Sequence, residues 1–244
     1  LSLAAERGYT ECVQLLIGAK SDIETKTNED FTALHVAVAL GHIACVRLLL
    51  DANANTEVRS NSGWNPLESA AHDGYIEIVR MLVMAKADVK ATNVDGWTAL
   101  MFAAKEGHSA CVTELIDAKA DIENKCLYGS TALILAADEG HAECVQLLID
   151  EGANVNTKTT ADQTALNAAT KNGQFKCVQQ LINAKADVEA RNQEGWAALS
   201  LAAERGDTVC LQLLIDAKAD LETKDNVGYT ALNIAAKQIG RAHV

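Results

Sequence analysis

An all-α repeat solenoid, made of helix-loop-helix units with short β-hairpin fingers, is the fold this sequence predicts, and three observations predict it. Leu1, Leu34, Leu67, Leu100, Leu133, Leu166, Leu199 and Leu232 stand 33 residues apart without an insertion, and a fixed period of about 20 to 50 residues marks stacked repeats. Around these leucines one short start recurs, as GWNPL at 63–67, GWTAL at 96–100, GSTAL at 129–133, GWAAL at 195–199 and GYTAL at 228–232. Finally, Ala37, Ala70, Ala103, Ala136, Ala169, Ala202 and Ala235 form one column. Small side chains there let short inner helices approach each other closely. The expected layout is a single elongated domain over 1–244 without linkers. It holds a partial unit 1–26, complete units 27–59, 60–92, 93–125, 126–158, 159–191 and 192–224, and a partial unit 225–244.

Each element of a unit follows from local pattern. In TALMFAAKEG at 98–107, Thr98 is an N-cap candidate, Leu100, Phe102, Ala103 and Ala104 give an apolar face, and Gly107 stops the helix. A second helix is predicted over 108–119, with Cys111, Val112, Leu115 and Ile116 on one stripe. A turn at 118–121 closes it. The link 120–129 alternates in polarity and ends on Gly129, which predicts an extended hairpin. No such unit buries its apolar faces alone, so neighbours must stack and share a core.

With these features in phase, the chain resembles the ankyrin repeat family, whose unit is 33 residues long and opens its first helix with T-P-L-H-x-A. The Thr-x-Leu start, the Gly-His loops Gly41-His42, Gly107-His108 and Gly140-His141, and the Ala-Asp turn carry the resemblance over essentially all 244 residues. It implies an L-shaped repeat and a curved array whose fingers and first helices form a concave face for protein partners. It does not imply catalysis.

Departures from the family pattern bear on stability. The motif's Pro is kept only as Pro66 and its His only as His35; other units carry Glu68, Met101, Ile134, Asn167, Ser200 and Asn233. The hydrogen bonds of that His are therefore expected to be lost or replaced. After the second helix, where the family favours a left-handed Gly, only Gly152 remains, against Lys20, Asn53, Lys86, Lys119, Lys185 and Lys218. A Lys held in that conformation costs on the order of 1 kcal/mol relative to Gly. Numbering opens inside a first helix, and the last unit puts Ile239 where Gly belongs and Gly240 one place late. Neither end reads as a polar cap, so the chain reads as a fragment of a longer protein.

Composition argues for a binding module. A net charge of −12 and a pI near 4.9 oppose a phosphate backbone, so nucleic acid is not an expected partner. No apolar run approaches the roughly 18 residues needed to span a bilayer, so this segment is not expected to insert into membrane. Of seven cysteines, Cys12, Cys45, Cys111, Cys144, Cys177 and Cys210 share one column with Ile78. That column reads as a small apolar core slot. Unpaired thiols in this number point to a reducing compartment, cytoplasm or nucleus. Cys126 stands apart at a finger, where exposure would make it a candidate reactive thiol.

Nothing assembles an active site, and neither metal nor cofactor is expected: no CxxC, HExxH or phosphate loop occurs. His42, His108 and His141 recur in the inter-helix loop, where a structural hydrogen bond is the natural role; His72 and His243 are isolated surface candidates. A basic column, Lys26, Arg59, Lys125, Lys158, Arg191 and Lys224, stands two residues after Glu24, Glu57, Glu123, Glu189 and Glu222 where those occur. On an extended segment this spacing predicts a ladder of exposed ion pairs.

The aromatics carry the functional signal. One column reads Phe31, Trp64, Trp97, Ser130, Gln163, Trp196 and Tyr229, and holds all three Trp. Large amphipathic rings of this kind are favoured as binding anchors; packing on neighbouring fingers is the competing role. Flanking candidates that vary between units are Val94, Asp95, Leu127 and Tyr128 at the fingers, with Lys105, Glu106, Asp138, Glu139, Lys171, Asn172, Glu204 and Arg205 at helix ends. The expected function is a non-enzymatic protein–protein interaction module using the concave face. The alternative is a targeting or autoinhibitory arm of a longer enzyme or channel whose catalytic or membrane part lies outside these residues.

Overall fold

The computed structural model describes residues 1–28, 30–61 and 63–242, with side chains up to 237; His243 lies outside them. The helices fall into two compact units, Leu1–Asp121 and Ile122–Val244. In the first, inner helices α1 (Ser2–Glu6), α3 (Ala33–Ala39), α5 (Pro66–His72) and α7 (Ala99–Lys105) pack in sequence. Outer helices α2 (Thr10–Gly18), α4 (Ile43–Asp51), α6 (Ile76–Met84) and α8 (Ser109–Asp117) form a second row. The second unit repeats the arrangement with inner helices α9 (Ala132–Glu139), α11 (Ala165–Asn172), α13 (Ala198–Arg205) and α15 (Ala231–Ala242). Its outer row is α10 (Ala142–Asp150), α12 (Phe175–Asn183) and α14 (Thr208–Asp216).

The predicted columns form the core. Leu34, Leu67, Leu100, Leu133, Leu166 and Leu199 are buried, as are Ala37, Ala70, Ala103, Ala136, Ala169 and Ala202. Leu232 of the same column is exposed: among the described residues no inner helix packs on the far side of α15. That helix also runs on to Ala242, past the position where Gly ends the others.

Inner-helix starts show what replaces the missing histidines. Thr32 and His35 make a reciprocal capping box, and so do Asn65 with Glu68 and Thr164 with Asn167. Asn233 likewise accepts from the Thr230 N–H at 3.1 Å. Any side chain that reaches back with an acceptor serves. Met101 and Ile134 carry none, and their helices keep only the forward cap from Thr98 and Thr131. Burial raises the Glu68 carboxyl above its ordinary value, although the Asn65 N–H and the Arg59 guanidinium pull the other way.

At the outer-helix ends, Lys20, Asn53, Lys86, Lys119, Lys185 and Lys218 all take positive φ, between 60° and 70°. The expected backbone is therefore kept without glycine. Glycine is required elsewhere. A Cβ on Gly129, whose φ is +77°, would lie 2.9 Å from the Thr160 backbone nitrogen, and one on Gly74 would lie 2.6 Å from the His108 ring. That ring hydrogen-bonds the His72 carbonyl at 2.9 Å, and His42 does the same to the Glu6 carbonyl at 3.0 Å. Both histidines tie one repeat to the next.

The fingers differ from the predicted extended hairpins. Among the described residues the one antiparallel bridge joins Lys224 and Thr230. Elsewhere the described finger residues form turns, and side chains such as Asn93, Thr159 and Asn192 take amides that a β-ladder would use. The glutamates do not pair with the basic column: Glu24 accepts from the Asn55 N–H (2.8 Å), Glu57 from Asp88 (3.0 Å), Glu123 from Asn154 (2.7 Å) and Glu189 from Asp220 (2.7 Å). Each carboxylate staples the backbone of the following repeat. The cations go elsewhere, Lys26 to Asp30, Arg59 to buried Glu68, and Arg191 to the Gly195 and Lys224 carbonyls. In the second unit, finger tips also join through main chain, with Thr160 N–H to Tyr128, Gln193 to Ala161 and Asn226 to Glu194.

Candidate functional site

The aromatic column is positioned from both sides. Each finger closes with one backbone bond from its first residue to its fifth, as in Thr27 to Phe31 (2.8 Å), Asn93 to Trp97 (2.9 Å), Asn192 to Trp196 (3.1 Å) and Asp225 to Tyr229 (2.9 Å). The first residue's side chain then accepts from the same aromatic residue's N–H: Asn93 from Trp97 (2.9 Å), Asn192 from Trp196 (2.9 Å), Asp225 from Tyr229 (2.8 Å). Thr159 does this for Gln163 at 3.1 Å. Short polar side chains hold turns in this way. Sequence reasoning missed this column, although the spacing of Asn or Asp four residues before the aromatic could have revealed it.

In the first unit the rings pack on one another. Trp64 and Trp97 approach Phe102 at centroid distances of 4.4 and 5.0 Å, and His72 lies 5.1 Å from Trp64. Both Trp remain half-buried, so packing and exposure coexist. His72 also contacts Asp73 at 2.7 Å and stands 3.9 Å from Glu106. Lys105 bonds Glu106 at 2.8 Å and holds its carboxyl below the ordinary value. Phe31 is not part of this cluster; it packs edge-on against His35 at 5.9 Å and borders a smaller cleft with Glu6, Val36 and Leu40.

The second unit holds a larger cleft of about 980 Å³. Trp196, Leu201, Tyr229 and Ile234 supply its apolar surface, and Lys171, Glu204 and Lys237 reach it from the inner helices. Trp196 is held through its backbone N–H, which donates to the Asn192 side chain at 2.9 Å, and its indole stands beside the Asp225 carboxylate. Burial works against ionising Asp225, but the Tyr229 and Val227 N–H groups and that indole hold its carboxyl below the ordinary value. Lys237 sits 5.3 Å from the Tyr229 ring centroid, a cation–π contact.

The remaining candidates divide. Val94, Leu127 and Tyr128 are exposed at finger tips, as is Asp95. Asp138 and Asn172 bond each other at 2.8 Å and tie α9 to α11. Glu139 is exposed at the end of α9. Arg205 lies over Gly173, where a Cβ would meet its guanidinium nitrogen at 2.6 Å.

Two expectations about thiols are corrected. Cys126 is buried, with 5% of its surface exposed, as are Ser60, Asn93 and Asp225 at the same place in their fingers; its N–H closes the finger to Ser130 at 3.1 Å. Cys12 is exposed, unlike the rest of its column, because α2 has a described outer neighbour on one side only, α4. Burial pushes the Cys111 and Cys177 thiols up to about 11.

A sequence model of the family described as "Ankyrin repeats (3 copies)" matches residues 1–93, 86–159 and 166–244. Among solved structures, the chain is similar to the human ASB11 ankyrin repeat domain, with a TM-score of 0.82 and 26% identity over 90% of this chain and 97% of that one. It is also similar to the ankyrin repeat domain of Bcl-3, described as a unique member of the IκB family, with a TM-score of 0.75 and 28% identity over 85% and 95%. A search of curated protein sequences found no match. Matched along nearly its whole length by the repeat model, and sharing the fold of solved ankyrin domains, this chain belongs to the ankyrin repeat family.

Proposed function

We propose that the chain is a non-enzymatic protein–protein interaction module, acting as one domain, which binds its partner on the concave face formed by the fingers and inner helices. The observation that carries this reading is the cleft of the second unit, where a Trp196 held by its backbone and a half-open Tyr229 stand among charged side chains. Preformed apolar surface with a few placed polar groups is what a recognition site needs, and rings held by their backbone lose little entropy on binding. The chemistry-bearing side chains support the same reading through where they are engaged. His42 and His108 hold carbonyls, and most thiols lie in the core.

Panning a displayed random-peptide library against the purified domain tests the proposal. Binders selected on the native chain should lose at least tenfold in affinity for Trp196→Ala or Trp64→Ala, and keep it for Lys176→Ala on the outer helix α12. Binders that ignore both Trp substitutions and depend on Lys176 would move the site to the outer-helix face.

A further inference from the structure

Lys171, Glu204 and Lys237 occupy one column of the repeat, spaced 33 residues apart, and all three are exposed on the cleft of the second unit. None of the ion pairs among the described residues includes any of them. The other carboxylates of the cleft are engaged by the fingers, Glu194 by the Asn192 side chain and Asp225 by backbone N–H groups. A row of charges reading plus, minus, plus is therefore left without an ion-pair partner, Lys237 resting only against the Tyr229 ring, beside an apolar floor of Trp196, Leu201 and Ile234.

The spacing of that row selects a ligand conformation. Packed helices stand roughly 8 to 10 Å apart. A polyproline II helix brings every third side chain back to one face and rises about 3.1 Å per residue, so same-face residues recur about every 9 Å. A β-strand fails this match, because residues three apart on it point to opposite faces. An α-helix matches less well, since same-face residues recur after about 5.4 Å or about 10.8 Å, on either side of that spacing. Aromatic-lined grooves suit the polyproline II shape, whose preformed backbone loses little entropy on docking.

We propose that this cleft binds a partner protein through a proline-rich segment in polyproline II conformation, bearing an acidic, a basic and an acidic residue at every third position. This rests on the interaction reading above and adds the chemistry of the partner. The acidic residues face Lys171 and Lys237, the basic residue faces Glu204, and the intervening prolines lie on Trp196.

The probe is a fluorescent, end-capped peptide, Asp-Pro-Ala-Lys-Pro-Ala-Asp, compared at low salt with its charge-reversed form, Lys-Pro-Ala-Glu-Pro-Ala-Lys. Anisotropy titration of the native chain should favour the first by about tenfold. The combined variant Lys171→Glu, Glu204→Lys, Lys237→Glu should invert that preference while keeping its circular dichroism. Replacing the prolines by glycine should weaken binding severalfold. Absence of binding, absence of preference, or failure of the variant to invert it would each overturn the proposal. If that happens while library-selected binders still depend on Trp196 or Trp64, the interaction reading stands without this ligand; if they ignore both Trp and depend on Lys176, both fail.

Discussion

Lys119→Gly should stabilise the chain although it removes a long side chain and a charge. Lys119 has φ +69°; its N–H bonds the Ile116 carbonyl at 2.8 Å and the Ala120 N–H bonds that of Leu115 at 2.9 Å. This turn ends α8 and demands a left-handed residue. A side chain in that region costs about 1 to 2 kcal/mol. Against its relief stand glycine's larger unfolded-state entropy, about 0.4 to 1 kcal/mol, and a lost cation at a helix C-terminus, about 0.3 kcal/mol for an exposed site. The net gain is about 0.5 kcal/mol, or roughly 1 to 2 °C in melting temperature for a domain of this size. Replacing all of Lys20, Lys86, Lys119, Lys185 and Lys218, which share this conformation in separate repeats, should add to about 2.5 kcal/mol. The control is Lys119→Ala, which loses the charge but keeps the strain and should be no more stable than the native chain. Urea midpoints at unchanged slope provide the comparison. A Gly variant no more stable than the Ala variant would refute the assignment of strain to this residue.

Three other expectations concern the staples and the thiols. Glu189 accepts from the Asp220 N–H at 2.7 Å and the Thr223 hydroxyl at 3.0 Å, so Glu189→Ala should lower stability by about 1 kcal/mol and Glu189→Gln, which keeps an acceptor, by less; equal urea midpoints for all three chains would contradict the staple. With a thiol reagent at neutral pH, exposed Cys12 should react fast and Cys126 only as the protein unfolds. Cys111 and Cys177 are pushed from 9.0 to about 11, so their thiols ionise in the unfolded chain first. Stability should hold below pH 9 and fall as pH rises toward 11, and a flat urea midpoint over that window would count against their burial.

The fold was legible because its information is periodic. Thr98, Gly107 and the stripe from Cys111 to Ile116 sit where their pattern places them. The left-handed lysines were found because Gly152 marks their column. The fingers were less legible, since spacing reveals a shared face only if the backbone conformation is already known. Assuming an extended segment turned Glu24 and Lys26 into an ion pair, whereas Glu24 reaches 31 residues ahead to Asn55. The same assumption left Cys126 at an open tip and hid the anchoring role of Asn93, Asn192 and Asp225. For the aromatic column, sequence located the rings but not their division into a packed cluster around Phe102 and an open cleft beside Trp196, which depends on what the following helix brings opposite each ring.

The staples also bear on how such an array changes length. Their acceptors are side chains but their donors are main-chain amides, so the receiving repeat offers the same atom whether it carries Asn55, Asp88, Asn154 or Asp220. No matched pair of side chains has to arise together. If residues 159–191 were excised, Asn156, which now accepts from the Asp187 N–H at 2.8 Å, would meet the Asp220 N–H in the same register. Whole repeats are thus interchangeable at this joint, and a deletion or duplication in multiples of the period keeps every tie of this kind intact.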